Sequence, residues 1–285
     1  MPDQPPCVRI VTDSACDLPD ELVTSLGIEI VPLYIRFGED ELVDRVQLST
    51  AEFWARCASE SELPSTAAPS PGHFEAAIRK LAGQGATGVV VVSLSGALSA
   101  THQSAELGAA AVGSEIPVRV IDSRSVSMGL GSIVVACARA GRDGRSIDEV
   151  EALARDMAAR CKVWGALDTL ENLKKGGRIG GAKAMLASVL SIKPIIEVRN
   201  GVVEEGGKQR TRSKAVAFLV DKVKEVAASP GISQLAVLHA DCSDVDAFVD
   251  QLKTVYQGEI IVGDIGAVIG THAGRGTIGV AFFVK

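Results

Sequence analysis

Several signatures are missing from this sequence, and each absence removes a class of function. The six cysteines (7, 16, 57, 137, 161 and 242) include no Cys-x-x-Cys pair, which disfavours a zinc site and a redox motif. No stretch approaches the roughly eighteen uninterrupted apolar residues of a membrane span. The opening "MPDQPPCVRI" lacks the apolar region of a signal peptide. A cytoplasmic protein without stable membrane insertion is therefore expected. Positive charge is not in excess: 29 Lys and Arg against 35 Asp and Glu leave a net charge of -6, which argues against a dedicated nucleic-acid binder. Standard catalytic patterns are also missing. "SLSGA" is not Gly-x-Ser-x-Gly, "GGRIGGAK" misses the Walker spacing, and no His-Glu-x-x-His occurs.

What is present is an ordinary globular composition, 47% hydrophobic and 22% charged over 285 residues, enough for one large or two medium domains. The first half alternates short apolar runs with helical patterns, as in "VVVVSLS" followed by "ALSATHQSAELGAAAV". That alternation predicts a parallel sheet covered on both faces. After about residue 160 strand-like runs dominate, and "VRNGVV" carries an Asn-Gly hairpin signal. The expected fold is a two-domain α/β protein. Residues 1–160 would form a Rossmann-like α/β/α domain on a parallel sheet, and residues 161–285 an α/β domain on a mixed or antiparallel sheet, with a ligand site between them.

"GRGTIG" at residues 274–279 matches the G-x-G-x-x-G pattern of dinucleotide-binding loops, but it runs into the short strand-like "VAFFVK" and not into a helix. Better ligand candidates are the loops that follow parallel strands. "TDSACDLP" places Ser14 after the first strand, and "SLSGALSAT" places Ser93, Ser95, Ser99 and Thr101 after the valine strand. A helix start at Ser95-Gly96 would offer free amides to a carboxylate or phosphate, or Ser95 would simply cap the helix. The Pro-rich "LPSTAAPSPGHF" adds Ser65 and Thr66, with a helix expected from about Pro71. Of the histidines, His73 and His102 are expected to face solvent and His239 to pack, whereas His272 stands in glycine-dense backbone that a ligand can approach. Basic residues concentrate in "LKKGGRIGGAK" and "KQRTRSK", among them Arg178, Arg210 and Arg212. They make either a landing place for an anion or a solvated helix face. Cys137 and Cys161 read as small core residues.

Together "VTDSACDLP", "STAAPSPGHF", "SLSGALSATHQSA", "LENLKKGGRIGGAKAMLASVLSIKPII" and "GTHAGRG" resemble, in order and nearly end to end, the DegV family of fatty-acid-binding proteins. The family supplies the lipid-presenting subunit of bacterial fatty acid kinase. The resemblance implies one long-chain fatty acid in a tunnel between two α/β domains, no other cofactor or metal, and no catalysis by this chain. Its carboxylate would be held by Thr66, by Ser95 with the Gly96 amide, and by His272, on loops supported by Ser14, Ser65 and Thr271. A separate ATP-dependent fatty acid kinase would convert it to an acyl phosphate, with Arg178, Arg210 and Arg212 serving kinase docking or the phosphoryl group. Departures from the family pattern are Ala67 and Ala68, where many members have Ser-Gln, Ala100 for a common Gly, and Arg275 for a common Pro, which would add positive charge beside the head group. Two other functions compete: a stand-alone acyl hydrolase or transferase with Ser95 as nucleophile and His272 as base, and a small-molecule sensor on the same fold.

Overall fold

The alternation of strand and helix in the first half folds as the sequence predicts. In a computed structural model describing residues 7–60, 62–188 and 192–285, β1 (Val8–Asp13) runs into a 3-10 turn (Ser14–Cys16), α1 (Asp20–Leu26) and β2 (Glu29–Val31). A small antiparallel sheet comes next, in which β3 (Tyr34–Phe37) pairs with β4 (Asp40–Val43) and, after α2 (Thr50–Ser59), with β5 (Ser65–Ala67). The chain then resumes the alternation with α3 (Pro71–Gly83), β6 (Gly88–Ser93), α4 (Thr101–Val112) and β7 (Val118–Asp122). Two helices close this half, α5 (Met128–Arg142) and α6 (Ile147–Arg160). The order β2-β1-β6-β7 makes a parallel sheet. All six residues of the valine strand β6 are buried, because helices cover both faces and leave no solvent side.

From Cys161 the grammar changes. β8 (Cys161–Ala166), α7 (Glu171–Lys175), a 3-10 segment (Gly180–Ser188), β9 (Lys193–Arg199) and β10 (Val202–Gln209) come first. They are followed by α8 (Arg212–Ala228), β11 (Ile232–His239), α9 (Val245–Lys253), β12 (Ile260–Asp264), α10 (Ala267–Ala273) and β13 (Ile278–Val284). The six strands lie in the order β10-β9-β8-β13-β11-β12, antiparallel except for the β11–β12 pair. Asn200 and Gly201 turn β9 into β10 with φ of +54° and +83°, the left-handed pair that a tight hairpin between twisted strands needs.

The two sheets share a core. Twelve of the fifteen residues of α5 are buried, since the helix lies between the sheets and exposes only Arg139 and Arg142 in its last turns. Ile10 and Val92 of the parallel sheet and Leu238, Ala281 and Phe283 of the mixed sheet belong to the same apolar cluster around it. A separate cluster under α8 and α9, with Leu219, Phe248 and Phe282, closes the outer face of the mixed sheet. Cys137 and Cys161 pack in or against the shared core as thiols. No helix of the described residues is long and apolar enough to cross a membrane.

One local expectation is overturned. No helix starts at Ser95-Gly96: residues 94–100 form a turn, and α4 begins at Thr101. The amides that a helix start would have freed are already taken. Leu94 N donates to Asp13 Oδ2 at 2.7 Å and Gly96 N to Asp122 Oδ1 at 3.2 Å. Carboxylates from neighbouring strands thus hold the chain in a turn after β6.

Candidate functional site

Thr66 is the middle residue of β5, fixed opposite Ile35 of β3, and His272 lies in the last turn of α10. Their side chains meet, with Thr66 Oγ1 and His272 Nε2 2.9 Å apart although 206 residues separate them in sequence. On one side of this pair lies an apolar cavity between the two halves, about 600 Å³ when the solvent space at its mouth is included. Leu33, Leu94, Leu98 and Val126 line it from the first half; Ile196, Val198 and Val203 from β9 and β10; and Val268 and Ile269 from α10. On the other side is a polar vestibule bordered by Ser65, Asn172, Lys175 and Thr271. Thr66, His272 and Arg178 border both spaces and stand where apolar meets polar.

The central basic stretch explains how His272 is held. Asn172 of α7 donates from Nδ2 to the Thr271 carbonyl at 3.1 Å. Arg178 donates from Nε to Leu98 O at 3.0 Å and from Nη1 to Gly176 O at 2.7 Å, and so ties the stretch to the turn after β6. Gly176 faces the imidazole so closely that a Cβ there would lie 2.2 Å from His272 Nδ1. That nitrogen is buried and has no hydrogen-bond partner among the described residues. Residues 189–191, within the stretch quoted for the family resemblance, lie outside the described residues.

Burial, with the Arg178 charge adding to it, pushes the His272 imidazolium down to about pKa 4. At neutral pH the ring is uncharged, one donor and one acceptor, and Arg178 supplies the positive charge nearby. The unfolded chain takes up this proton near pH 6.5 and the folded chain only near 4, so the group withdraws stability as pH falls through that window. The stability of the wild type relative to His272→Gln is expected to drop between pH 6.5 and 4, by about 3 kcal/mol at the low end. Denaturant titrations of both proteins at four or five pH values check this; a difference that does not change with pH would contradict it.

The structure does not bring the other expected head-group ligands to this pair. Ser95 is fully buried and donates to the Gly201 carbonyl at 2.7 Å, and the Gly96 amide is held by Asp122. Ser99, four residues on, is the hydroxyl that lines the cavity with Thr66 and His272. Its Oγ accepts from Thr101 N at the start of α4. Ser14 lies below the site, where its Oγ accepts from Leu33 N. Ser65 and Thr271 border the vestibule, the latter with its hydroxyl turned back to Ala267 O. Arg210 is exposed and borders neither space. Arg212 is occupied by Asp244, with contacts to Cys242 and the Gly276 carbonyl. Arg275 pairs with Asp241, so its charge is balanced locally.

His102 is also not free in solvent: its Nδ1 lies 2.9 Å from Ser93 Oγ. His73 is exposed and caps α3 through Ser70, and His239 pairs with Asp264. The Ser95–His272 dyad of a hydrolase is not assembled, as the two side chains have different partners. No cluster of three or more His, Cys, Asp or Glu among the described residues is arranged to hold a metal ion. "GRGTIG" is the passage from α10 to β13. Gly274 and Gly276 have φ of +82° and +80°, and Gly276 N donates to Ala240 O at 2.9 Å. The passage leads directly into the strand β13 and not into a helix whose N-terminus could receive a pyrophosphate.

A parallel α/β sheet and a mixed sheet sharing one core, with an apolar cavity closed by a polar clamp, define a two-sheet α/β protein with an internal cavity. The family model described as "Uncharacterised protein, DegV family" matches residues 7–285, and the chain belongs to the DegV family. It is 36% identical over 276 residues to the DegV domain-containing protein SCO2569 of Streptomyces coelicolor, covering 96% of this chain and 97% of that one. Among solved structures it resembles a fatty-acid-binding DegV family protein from Thermus thermophilus, with a TM-score of 0.87, 32% identity, and coverage of 98% and 99% of the two chains. It also resembles DegV of Bacillus subtilis, described as a fatty acid binding protein, with a TM-score of 0.85, 28% identity, and the same coverage.

Proposed function

We propose that this chain binds one long-chain fatty acid in the cavity and presents its carboxylate at the vestibule to a separate ATP-dependent fatty acid kinase. The observation that carries the reading is the apolar cavity ending at the Thr66–His272 pair beside Arg178. Relatives described as fatty acid binding support it. The carboxylate would lie between Thr66, Ser99 and His272, with Arg178 balancing its charge. A tail of about fifteen methylenes at ~0.8 kcal/mol each gives a gross driving force on the order of 12 kcal/mol. Each hydrogen bond to the carboxylate adds ~1.5–3 kcal/mol. The tail dominates affinity and the clamp sets which end faces out. The kinase would supply ATP, whose γ-phosphorus is attacked by the outward carboxylate oxygen as ADP leaves. Of the three candidate arginines Arg178 alone borders the cavity and the vestibule, which supports assigning it to steady that transfer. In this reading the chain works in the cytoplasm, needs no cofactor beyond its ligand, and performs no chemistry alone.

Native mass spectrometry of the purified protein, followed by lipid extraction, tests the reading. One fatty acid per chain is expected, and a Thr66→Ala, Ser99→Ala double variant should bind it about a hundredfold more weakly, as the loss of two such hydrogen bonds implies. A protein that arrives empty and refuses added palmitate would refute it. For the presentation step, acyl-phosphate formation with the kinase should fall in Arg178→Ala while palmitate remains bound.

A further inference from the structure

Three side chains in the five-residue segment at the end of β1 hold the three arms of the clamp. Asp13 accepts from Leu94 N at 2.7 Å through Oδ2 and from Ala15 N at 3.1 Å through Oδ1. Leu94 begins the turn that carries Leu98 and Ser99. Ser14 accepts from Leu33 N at 3.0 Å; Leu33 leads directly into β3, the strand on which β5 and Thr66 are hung. Asp17 accepts from Gly266 N at 3.0 Å through Oδ1, and Gly266 is the N-cap of α10, the helix that ends at His272. All three side chains are buried.

The energetics make this an unusual way to secure loops. Burial pushes Asp13 and Asp17 up to about pKa 7, so each carboxyl is kept at a cost to folding. Around Asp17 stand Asp44 and Arg45 from the segment after β4, Ser127 before α5, and Gly266 before α10. A neutral hydroxyl or amide would satisfy one backbone N–H at lower cost. What these side chains have in common is a short acceptor reaching from one five-residue segment to elements 81 and 249 residues away. Few other contacts could fix the spacing of three loops from a single origin.

We infer that Asp13, Ser14 and Asp17 are positioning residues whose common function is to set the distance between Thr66, Ser99 and His272, and hence the selectivity of the site for a carboxylate head group. The inference rests on the fatty-acid reading, and it concerns the head group alone, not the tail.

The test compares palmitate with 1-hexadecanol, which shares the tail and lacks the carboxylate, in displacement titrations of a fluorescent lipid probe. The wild type should prefer the acid by about tenfold or more, the factor of a single head-group hydrogen bond. Asp17→Ala and Ser14→Ala should lose most of that preference while hexadecanol affinity stays within about twofold. Asp17→Asn, whose side-chain oxygen can still accept from Gly266 N, should keep it. Ser14→Ala deletes one hydroxyl and carries the test should Asp17→Ala fail to fold. Alanine variants that retain the wild-type preference, or that weaken both ligands equally, would overturn the inference and leave the fatty-acid reading intact. An Asp17→Asn protein that behaves like the alanine variant would also overturn it. A wild type that binds neither ligand removes the fatty-acid reading itself.

Discussion

Replacing Gly176 by alanine is expected to weaken palmitate binding about ten- to hundredfold, although the change adds one methyl group outside the cavity's apolar wall. The backbone at Gly176 is right-handed helical, with φ -72° and ψ -9°, so alanine suffers no torsional strain there. The cost is steric: the new Cβ would lie 2.2 Å from His272 Nδ1 and 2.8 Å from its Cε1. The imidazole must swing away from Thr66, and the carboxylate loses a partner worth ~1.5–3 kcal/mol. Overpacking of this kind also costs ~1–3 kcal/mol of stability. Gly177 is the matched control. Its φ is +71° and nothing lies within 4 Å of an added Cβ, so Gly177→Ala should lose about 1 kcal/mol of stability for conformational reasons and leave palmitate affinity unchanged. Titrations of the two variants side by side decide the matter; equal affinities would show that His272 does not act on the head group.

Ile196→Asp is expected to have a larger effect still, weakening palmitate about a thousandfold or more. Ile196 is a half-buried residue of β9 that lines the apolar cavity. A carboxylate at this place must either be desolvated against the acyl chain, at several kcal/mol, or keep water where methylenes would lie. Either way the tail loses a share of the ~0.8 kcal/mol that each buried methylene contributes. Because the residue is only half-buried in the protein without ligand, folding should suffer less than binding. Ile196→Val, which keeps the surface apolar, should stay within about tenfold of the wild type. Native mass spectra of protein purified from cells read the result directly: Ile196→Asp that still carries a full complement of fatty acid would mean that the tail lies elsewhere.

Some features of the site were legible because they are local. The valine run could only be a strand covered on both faces, and Asn200-Gly201 could only favour a tight hairpin, since few other residue pairs adopt two consecutive left-handed conformations without strain. Pro71 marked the start of α3 for a similar reason, the missing N–H of proline costing nothing in a first turn. The hydroxyls after β6 were harder. Ser95 and Ser99 lie in the same serine-rich turn, and no local rule separates them. What separates them is that Gly201, 106 residues away, presents its carbonyl to Ser95, and that the carboxylates of Asp13 and Asp122 occupy the amides of Leu94 and Gly96.

The sequence by itself determined the two kinds of sheet, the change of grammar near residue 160, and the stretches from which the site is built, because strand, helix and turn preferences are set by neighbours in the chain. Only the tertiary structure decided which of those residues meet: Thr66 with His272, Ser99 on the cavity wall and Ser95 on the Gly201 carbonyl, Gly176 against the imidazole, and Arg178 at the cavity without Arg210 or Arg212. A buried hydrogen-bond donor or acceptor takes whatever partner the packed fold brings within about 3 Å, and that competition is settled between residues tens to hundreds of positions apart.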